Sequence, residues 1–254
     1  MKKEIKGKTA AAEKGKQRFS EHLIALRGML IRMALVILVC FIAVFYLFCA
    51  PLTSFILRPV TERGIQVIAT KVSESLMMQI KLSLVAALVI GMPVIIWQVW
   101  RFVAPALYPK EKKLFLLMFG VMVLLFATGI LFSYLTVFPM AINLFYEAGV
   151  GVATSMWSVD GYFNFVLSFV LPFGLMFELP VVIFLLARHG KVTGQSLSHA
   201  RRYFVLGAAV AAAILTPPDV VSQVLLLLPL LALYEVSVLI ARSVNWKKAA
   251  EETS

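Results

Sequence analysis

Long apolar runs constrain this chain more than any other feature of its sequence. Six such runs are present, at residues 28–50, 76–99, 114–136, 162–187, 203–215 and 222–241. The first four have 22 or more residues, and about 20 residues of α-helix cross the roughly 30 Å hydrocarbon core of a bilayer. Charged residues make up 15% of the chain, whereas a soluble domain has about 25%. We therefore predict an all-α integral membrane protein whose six transmembrane helices lie within residues 19–243.

The last two helices of this domain are predicted to be short. The fifth run holds 13 residues between Arg202 and Thr216, and as a helix these reach only about 20 Å. Two prolines, of which Pro217 is the first, then turn the chain before Asp219. The pair should form a hairpin that stops before the far face, so that the bilayer is thinned or a cavity stays open beside it.

Basic residues divide the connections between the spans into two classes. Nineteen of the 24 Lys and Arg residues fall in four segments, 1–28, 100–113, 188–202 and 242–254. Three fall in the alternate connections, 51–75, 137–161 and 216–221. The positive-inside rule then places both termini in the cytoplasm. The net charge of +11 therefore reports topology, and no nucleic-acid partner is expected.

The two ends of the chain are expected to lie outside the membrane domain. Residues 1–18 are rich in lysine and lack apolar periodicity, which predicts a disordered basic tail. Residues 244–254 are predicted to form a second disordered tail. The membrane domain between them is expected to sit in a lipid bilayer.

Sequence patterns typical of enzyme sites are missing. The chain has no Gly-rich loop followed by Lys-Ser/Thr, no H-E-x-x-H and no G-x-S-x-G. Its three histidines, His22, His189 and His199, show no metal-ligand spacing. We expect no enzymatic activity, no cofactor and no metal, so any transport must draw its energy from a gradient or from a partner.

Glu178 is the most informative polar residue in an apolar run. It lies about 24 Å into the fourth predicted span, and a carboxylate at such a depth costs at least about 2.5–3.5 kcal/mol. One interpretation is a contact point for a partner or cargo, or a proton site. The other is a protonated glutamate hydrogen-bonded to a neighbouring helix. Pro172 and Pro180 flank it, and they indicate either a concave face around Glu178 or simply a bent span.

Two further polar segments allow both a structural and a functional interpretation. Asp219 and Ser222 are well placed to cap the last helix. The segment from Arg101 to Lys113 reads as a solvated basic loop, yet Pro105 and Pro109 stiffen it and it contains one acid, Glu111. A carboxylate placed in this way can accept two parallel hydrogen bonds from an arginine.

Taken together, several motifs in order resemble one family over residues 19–243. These motifs are Ser20 to Arg27, Ile80 to Leu84, Ala104 to Tyr108 with Glu111, Phe132 to Pro139, Phe173 to Pro180, Thr216 to Gln223, Pro229, and Leu233 to Glu235. They are similar to those of TatC, the multispanning receptor subunit of the twin-arginine protein translocase.

The resemblance implies a cup-shaped, six-helix protein of the bacterial inner membrane. Such a protein binds the twin-arginine signal peptides of folded cargo at its cytoplasmic face and associates with itself in a receptor complex. It also holds single-span partners of the TatA/TatB type, and transport runs on the proton-motive force. The family's buried acid of the fourth span maps onto Glu178, its inner-loop acid onto Glu111 and its turn acid onto Asp219. Pro217 and Gln223 then belong with Asp219 to a periplasmic hairpin.

The first motif departs from the family pattern. The family usually has His-Leu-x-Glu-Leu-Arg there, and this chain has Ala25 at the Glu position. The missing acid is one of two that the resemblance links to signal-peptide recognition. Glu21 lies four residues earlier, on the same helix face, so the expected site consists of Glu21, Arg27 and Glu111. An altered binding mode is the alternative.

Two other classes of protein share some of these features. A small proton-coupled secondary transporter also uses a carboxylate near the midplane and broken helices, although this chain has one such acid and no convincing internal repeat. A structural membrane anchor of an assembly is the third possibility. Solute flux in liposomes that contain this chain alone would favour the transporter, and retention of twin-arginine peptides in detergent would favour the receptor.

Overall fold

A computed structural model describes residues 24–107, 112–149, 156–216 and 219–252. Nearly all of these residues are helical. The elements follow one another as α1 (Ile24–Thr61), β1 (Gln66–Ile68), α2 (Glu74–Leu107), α3 (Lys112–Phe132, Ser133–Val137 and Phe138–Gly149), β2 (Met156–Ser158), α4 (Val159–Met176), α5 (Leu179–Arg188), α6 (Gly194–Leu215) and α7 (Val220–Glu252).

Five stretches of the described residues are long and apolar enough to cross a membrane. They are Ile24–Thr61, Glu74–Arg101, Leu116–Gly149, Val159–Arg188 and Val220–Val244. Helix α6 is not among them, because Arg201 and Arg202 fall within its 22 residues and leave the 13-residue apolar stretch seen in the sequence. The all-helical membrane class is confirmed, and the sixth span stays a prediction.

The final helix differs from the prediction of two short helices. Helix α7 has 33 residues and extends to Glu252, although residues 244–254 were expected to be disordered. Its last turns contain two lysines, two alanines and two glutamates, residue types with high helix propensity. These residues can continue a helix whose costly first turn has already formed.

Prolines explain where two long helices depart from regular α geometry. Helix α1 contains a π-helical segment at Val44–Phe48, three residues before Pro51, and α3 contains one at Ser133–Val137, two residues before Pro139. A proline ring clashes with the carbonyl four residues earlier and removes its hydrogen-bond donor. A wider turn relieves both problems without breaking the helix.

Helix α4 forms the centre of the domain, between α2, α3 and the β-strands. Its buried face carries a ladder of aromatic rings one turn apart: the Phe165 and Phe169 centroids are 5.0 Å apart, and those of Phe169 and Phe173 are 6.4 Å apart. Helix α5 packs against α7, where Ile183 and Ala187 meet Ala241. The hairpin of α6 and α7 therefore joins the rest of the domain mainly through α5.

The two short strands close one end of the domain. Strands β1 and β2 pair in parallel with Val67 opposite Trp157, and they connect α1 to α2 and α3 to α4 respectively.

Tyr134 donates a hydrogen bond of 3.0 Å to the carbonyl of Phe55, which lacks an intrahelical partner because Pro59 has no N–H. This bond ties α3 to α1 where the helical ladder has a gap.

Candidate functional site

Glu178 occupies the break between α4 and α5. Helix α4 ends at Met176, four residues before Pro180, as expected from the clash of a proline ring with the carbonyl at that position. Pro172, in contrast, lies inside α4 without ending it. The carbonyl of Glu178 accepts the amides of Val181 and Val182 at 3.1 and 3.0 Å, so its backbone starts α5.

The carboxyl group of Glu178 is buried and makes no hydrogen bond with the described residues. The residue is 9% exposed, and neither carboxyl oxygen has a partner among them. It stands ten residues before Arg188, which is about 15 Å of helix from the end of the span. The predicted hydrogen bond to a neighbouring helix is therefore not formed within this part of the chain.

Close helix packing surrounds the turn that carries Glu178. A Cβ on Gly129 of α3 would lie 2.7 Å from the carbonyl oxygen of Phe173 and 2.9 Å from Cγ of Phe177, and one on Gly174 would lie 2.7 Å from the ring of Phe126. Small residues therefore let α3 and α4 approach closely at this level. The turn that carries Glu178 is therefore held by close contacts between α3 and α4.

The predicted signal-peptide residues are only partly within the described regions. Glu21 and Glu111 lie outside them, and so the structure does not test whether they come together. Arg27 is exposed on the first turns of α1. A cavity of about 640 Å³ lies between the start of α1 and the end of α2, and it is lined by Ile24, Ala25, Gly28, Met29, Arg32, Val94, Trp97, Gln98 and Arg101. Ala25, where the family pattern has an acid, faces this cavity.

The tip of the α6–α7 hairpin is held by polar contacts. Asp219 Oδ1 accepts the amide of Ser222 at 2.6 Å, which confirms the capping role of Asp219. The Ser222 hydroxyl, which was expected to cap as well, is buried and makes no hydrogen bond with the described residues. Gln223 donates from Nε2 to the carbonyl of Ala209 at 3.1 Å and ties α7 to α6. Pro217 lies outside the described residues.

The other end of the same hairpin is also cross-linked. Arg201 of α6 and Glu235 of α7 form an ion pair of 2.7 Å, and the Tyr234 hydroxyl donates to the carbonyl of Leu197 at 2.7 Å. Their pairing depends on the register of two packed helices, which a single sequence does not reveal.

A polar cluster at the strand-bearing end was missed by the sequence analysis. Lys81 of α2 contacts Asp160 at 2.8 Å and Asn164 at 3.0 Å, both on α4. Glu74, at the start of α2, accepts the amide of Asp160 at 2.7 Å. The sequence did contain a signal for this pair. Lys81 and Asp160 carry opposite charges, and both lie near the same predicted membrane face.

No group of three or more His, Cys, Asp or Glu side chains that could hold a metal ion occurs within the described ranges. The carboxyl group of Glu178 is therefore suited to hydrogen bonding and to carrying a proton. It can accept bonds from a donor when ionised and donate one when protonated. Both states suit a contact with a polar side chain on another helix.

Comparison with known proteins places the chain in one family. The family model of the Sec-independent protein translocase protein TatC matches residues 21–229. TatC of Carboxydothermus hydrogenoformans is 38% identical over 233 residues, covering 91% of this chain and 96% of that protein. TatC of Aquifex aeolicus is 37% identical over 233 residues, covering 90% and 96%.

The fold agrees with a solved structure as well. The crystal structure of the twin-arginine translocase receptor TatC superposes with a TM-score of 0.82 at 37% sequence identity, covering 88% of this chain and 99% of that chain. Sequence and fold therefore match along almost the whole length of the relatives. The chain belongs to the TatC family of Sec-independent protein translocase proteins.

Proposed function

We propose that this protein is the receptor subunit of a twin-arginine translocase in a bacterial inner membrane. It binds the twin-arginine signal peptides of folded proteins at its cytoplasmic face, associates with itself, and holds single-span subunits of the TatA/TatB type for export driven by the proton-motive force. Membership of the TatC family supports this role, as does the likeness to a crystallised twin-arginine translocase receptor. One class of connections holds 19 basic residues and the other holds three. This difference supports cytoplasmic termini.

Glu178 carries the part of the proposal that concerns partners. A buried carboxyl group without a hydrogen bond is costly in an apolar surrounding, and among the described residues Glu178 has none. A polar side chain on a single-span subunit, or on inserted cargo, would supply the missing bond. The contact would then form only when the other helix is present, as assembly of a translocase requires.

Replacement of Glu178 by alanine tests this contact. We expect Glu178→Ala to leave the protein inserted and able to bind signal peptide, but to weaken crosslinking to single-span subunits and to lower export, because the partner's polar group loses its acceptor. Glu147→Ala removes an exposed acid from α3 and serves as the control. Normal export together with normal crosslinking in Glu178→Ala would refute the role of this residue.

The signal-peptide site is proposed to use Glu21 and Glu111, with Arg27 on the same surface. The cytoplasmic connections are basic overall and should repel two arginines unless acids are placed locally. Glu21 precedes Ala25 by four residues in the sequence, and Glu111 falls in the short segment between the end of α2 at Leu107 and the start of α3 at Lys112. Each carboxylate can bind one guanidinium group through two parallel hydrogen bonds.

Peptide titration in detergent tests the two acids separately. Hydrogen bonds to charged groups contribute about 1.5–3 kcal/mol, so Glu111→Gln and Glu21→Gln should each weaken binding by about tenfold or more. A peptide with two lysines should also bind more weakly, since an ammonium group cannot make two parallel bonds. Glu13→Gln, in the N-terminal segment, is the control. If Glu111→Gln binds the peptide as tightly as the parent, the proposed site is wrong. If only Glu21→Gln leaves the affinity unchanged, then Glu21 does not replace the acid missing at Ala25, and the role of Glu111 still stands.

A further inference from the structure

An apolar groove opens between α1 and α3 near the strand-bearing end of the domain. Its volume is about 510 Å³. Its walls are formed by residues between Val44 and Ile56 of α1 and between Ile130 and Tyr134 of α3, and its floor by parts of α2 and α4. All four helices cross the membrane at this level by length and apolarity, so the groove opens toward lipid.

The lining of the groove selects an apolar ligand. Its side chains are aliphatic or aromatic, and the one hydroxyl among them, that of Tyr134, already donates to the carbonyl of Phe55. A polar ligand would therefore lose its hydrogen bonds to water without replacement. An empty groove would in turn forfeit dispersion contacts along its walls, so an apolar occupant stabilises it.

The groove is elongated and open on one side. Along α1 the lining runs from Val44 to Ile56, about 18 Å of helix. A hydrocarbon chain can lie along this length in contact with the apolar lining. One face of a helix is the competing occupant, and the labelling experiment distinguishes the two.

Both walls of the groove are irregular at the same place. The π-helical segments Val44–Phe48 of α1 and Ser133–Val137 of α3 each contribute lining residues. Such segments occur frequently at functional sites. Here they widen the two helices that face each other across the opening.

Arg58, which forms an ion pair with Glu62, lies next to the groove lining on α1. Pro51, Phe55 and Arg58 form one stripe of α1, with spacings of four and three residues, and the first two line the groove. Arg58 is 72% exposed, and its Nε contacts Glu62 at 2.7 Å. The Nη groups of the guanidinium make no hydrogen bond within the described residues, and they can donate to a phosphate oxygen.

We propose that this groove binds one acyl chain of a membrane phospholipid whose phosphate contacts Arg58. The apolar lining accommodates the chain, and Arg58 beside it donates to the headgroup. The lipid would then fill the space between α1 and α3 and join their outer halves, where Tyr134 donates to the carbonyl of Phe55 and Arg63 donates to Asn143.

Photolabelling of the full chain in vesicles tests the proposal. The vesicles contain phosphatidylethanolamine and a trace of phosphatidylglycerol with a diazirine midway along one acyl chain, and adducts are mapped by mass spectrometry. Leu131 lines the groove and is 54% exposed, whereas Leu35 of α1 is not among the lining residues and is 59% exposed. We expect more label on Leu131 than on Leu35, although simple contact with bulk lipid would label them alike.

Three variants complete the experiment. Ala86→Trp fills the groove and should remove the excess label on Leu131, while Leu84→Trp, on an exposed face of the same helix, should not. Arg58→Gln should lower the excess by about threefold, and Lys71→Gln should leave it unchanged. Equal labelling of Leu131 and Leu35 in the parent, or loss of label on adding a synthetic single-span helix, would overturn the proposal. If Ala86→Trp fails to fold, the proposal is decided by the ratio of label on Leu131 to label on Leu35 in the parent and by the change of this ratio in Arg58→Gln.

Discussion

Two glutamates are buried in the part of the chain that the structure describes, and their surroundings differ completely. Glu74 is 5% exposed and Glu178 is 9% exposed. The carboxyl group of Glu74 accepts four hydrogen bonds: from the amide and hydroxyl of Thr70 at 2.6 and 2.8 Å, from the amide of Lys71 at 3.0 Å and from the amide of Asp160 at 2.7 Å. The carboxyl group of Glu178 accepts none from the described residues.

The difference separates an acid that holds the fold from one that the fold leaves available. Glu74 sits in the first turn of α2, where the helix dipole favours a negative charge, and it joins the β1–α2 connection to the start of α4. The free-energy cost of removing its carboxyl group from water is offset by hydrogen bonds within the chain. The desolvation of Glu178 is not offset by the described residues, so the free energy of a hydrogen bond there remains to be gained by association.

The largest expected effect follows from removing Glu74. Glu74→Ala leaves four donors at the strand-bearing end without their acceptor, and each buried unpaired donor is costly. We expect the midpoint of thermal unfolding in detergent to fall by about 5 °C or more. Glu62→Ala, which removes an acid from an exposed pair with Arg58, should shift it by less than about 1 °C. Equal shifts in the two variants would show that Glu74 does not hold the fold.

A medium effect is expected at the helix contact beside Glu178. Gly129→Ala places a methyl group 2.7 Å from the carbonyl oxygen of Phe173, and backbone cannot move aside as a flexible side chain can. Overpacking of this kind costs about 1–3 kcal/mol.

The control for this substitution lies on the same helix. Gly120 has open space at the Cβ position, so Gly120→Ala should be neutral or raise stability by up to about 1 kcal/mol through helix propensity. Unfolding in detergent compares the two variants. If both behave alike, α3 and α4 are less closely packed at Gly129 than the structure indicates.

Local chemistry was predictable from the sequence where it depends on neighbours along the chain. Five membrane-length helices, the interruption before Pro180 and the Asp219 cap all follow from apolar length, ring sterics and capping geometry. The unusual position of Glu178 was visible for the same reason, since a charged residue inside an apolar run is a local feature.

Contacts between distant segments were not predictable in this way. Lys81 and Asp160 are 79 residues apart, and Arg201 and Glu235 are 34 apart. Each pair depends on the rotation and register of two helices, which the hydropathy of either helix leaves undetermined. At Glu74 the donors on Thr70 and Lys71 are local, but Asp160 lies 86 residues away at the start of α4, and this part of the site was missed for the same reason.

The smallest effect on stability is expected at Glu178 itself. This substitution is also the sharpest test of the difference between Glu74 and Glu178. Glu178→Gln keeps the shape of the side chain and removes its ability to ionise. Because no hydrogen bond to the described residues is lost, the free energy of unfolding of the isolated protein should change by less than about 1 kcal/mol. Glu74→Gln, the matched change at the satisfied site, should destabilise clearly, since an amide NH₂ replaces one acceptor oxygen and faces backbone donors. Thermal unfolding of both variants in one detergent gives the comparison. A large loss of stability in Glu178→Gln would mean that the carboxyl group already has a partner within the chain, and the available acceptor on which the assembly proposal rests would not exist.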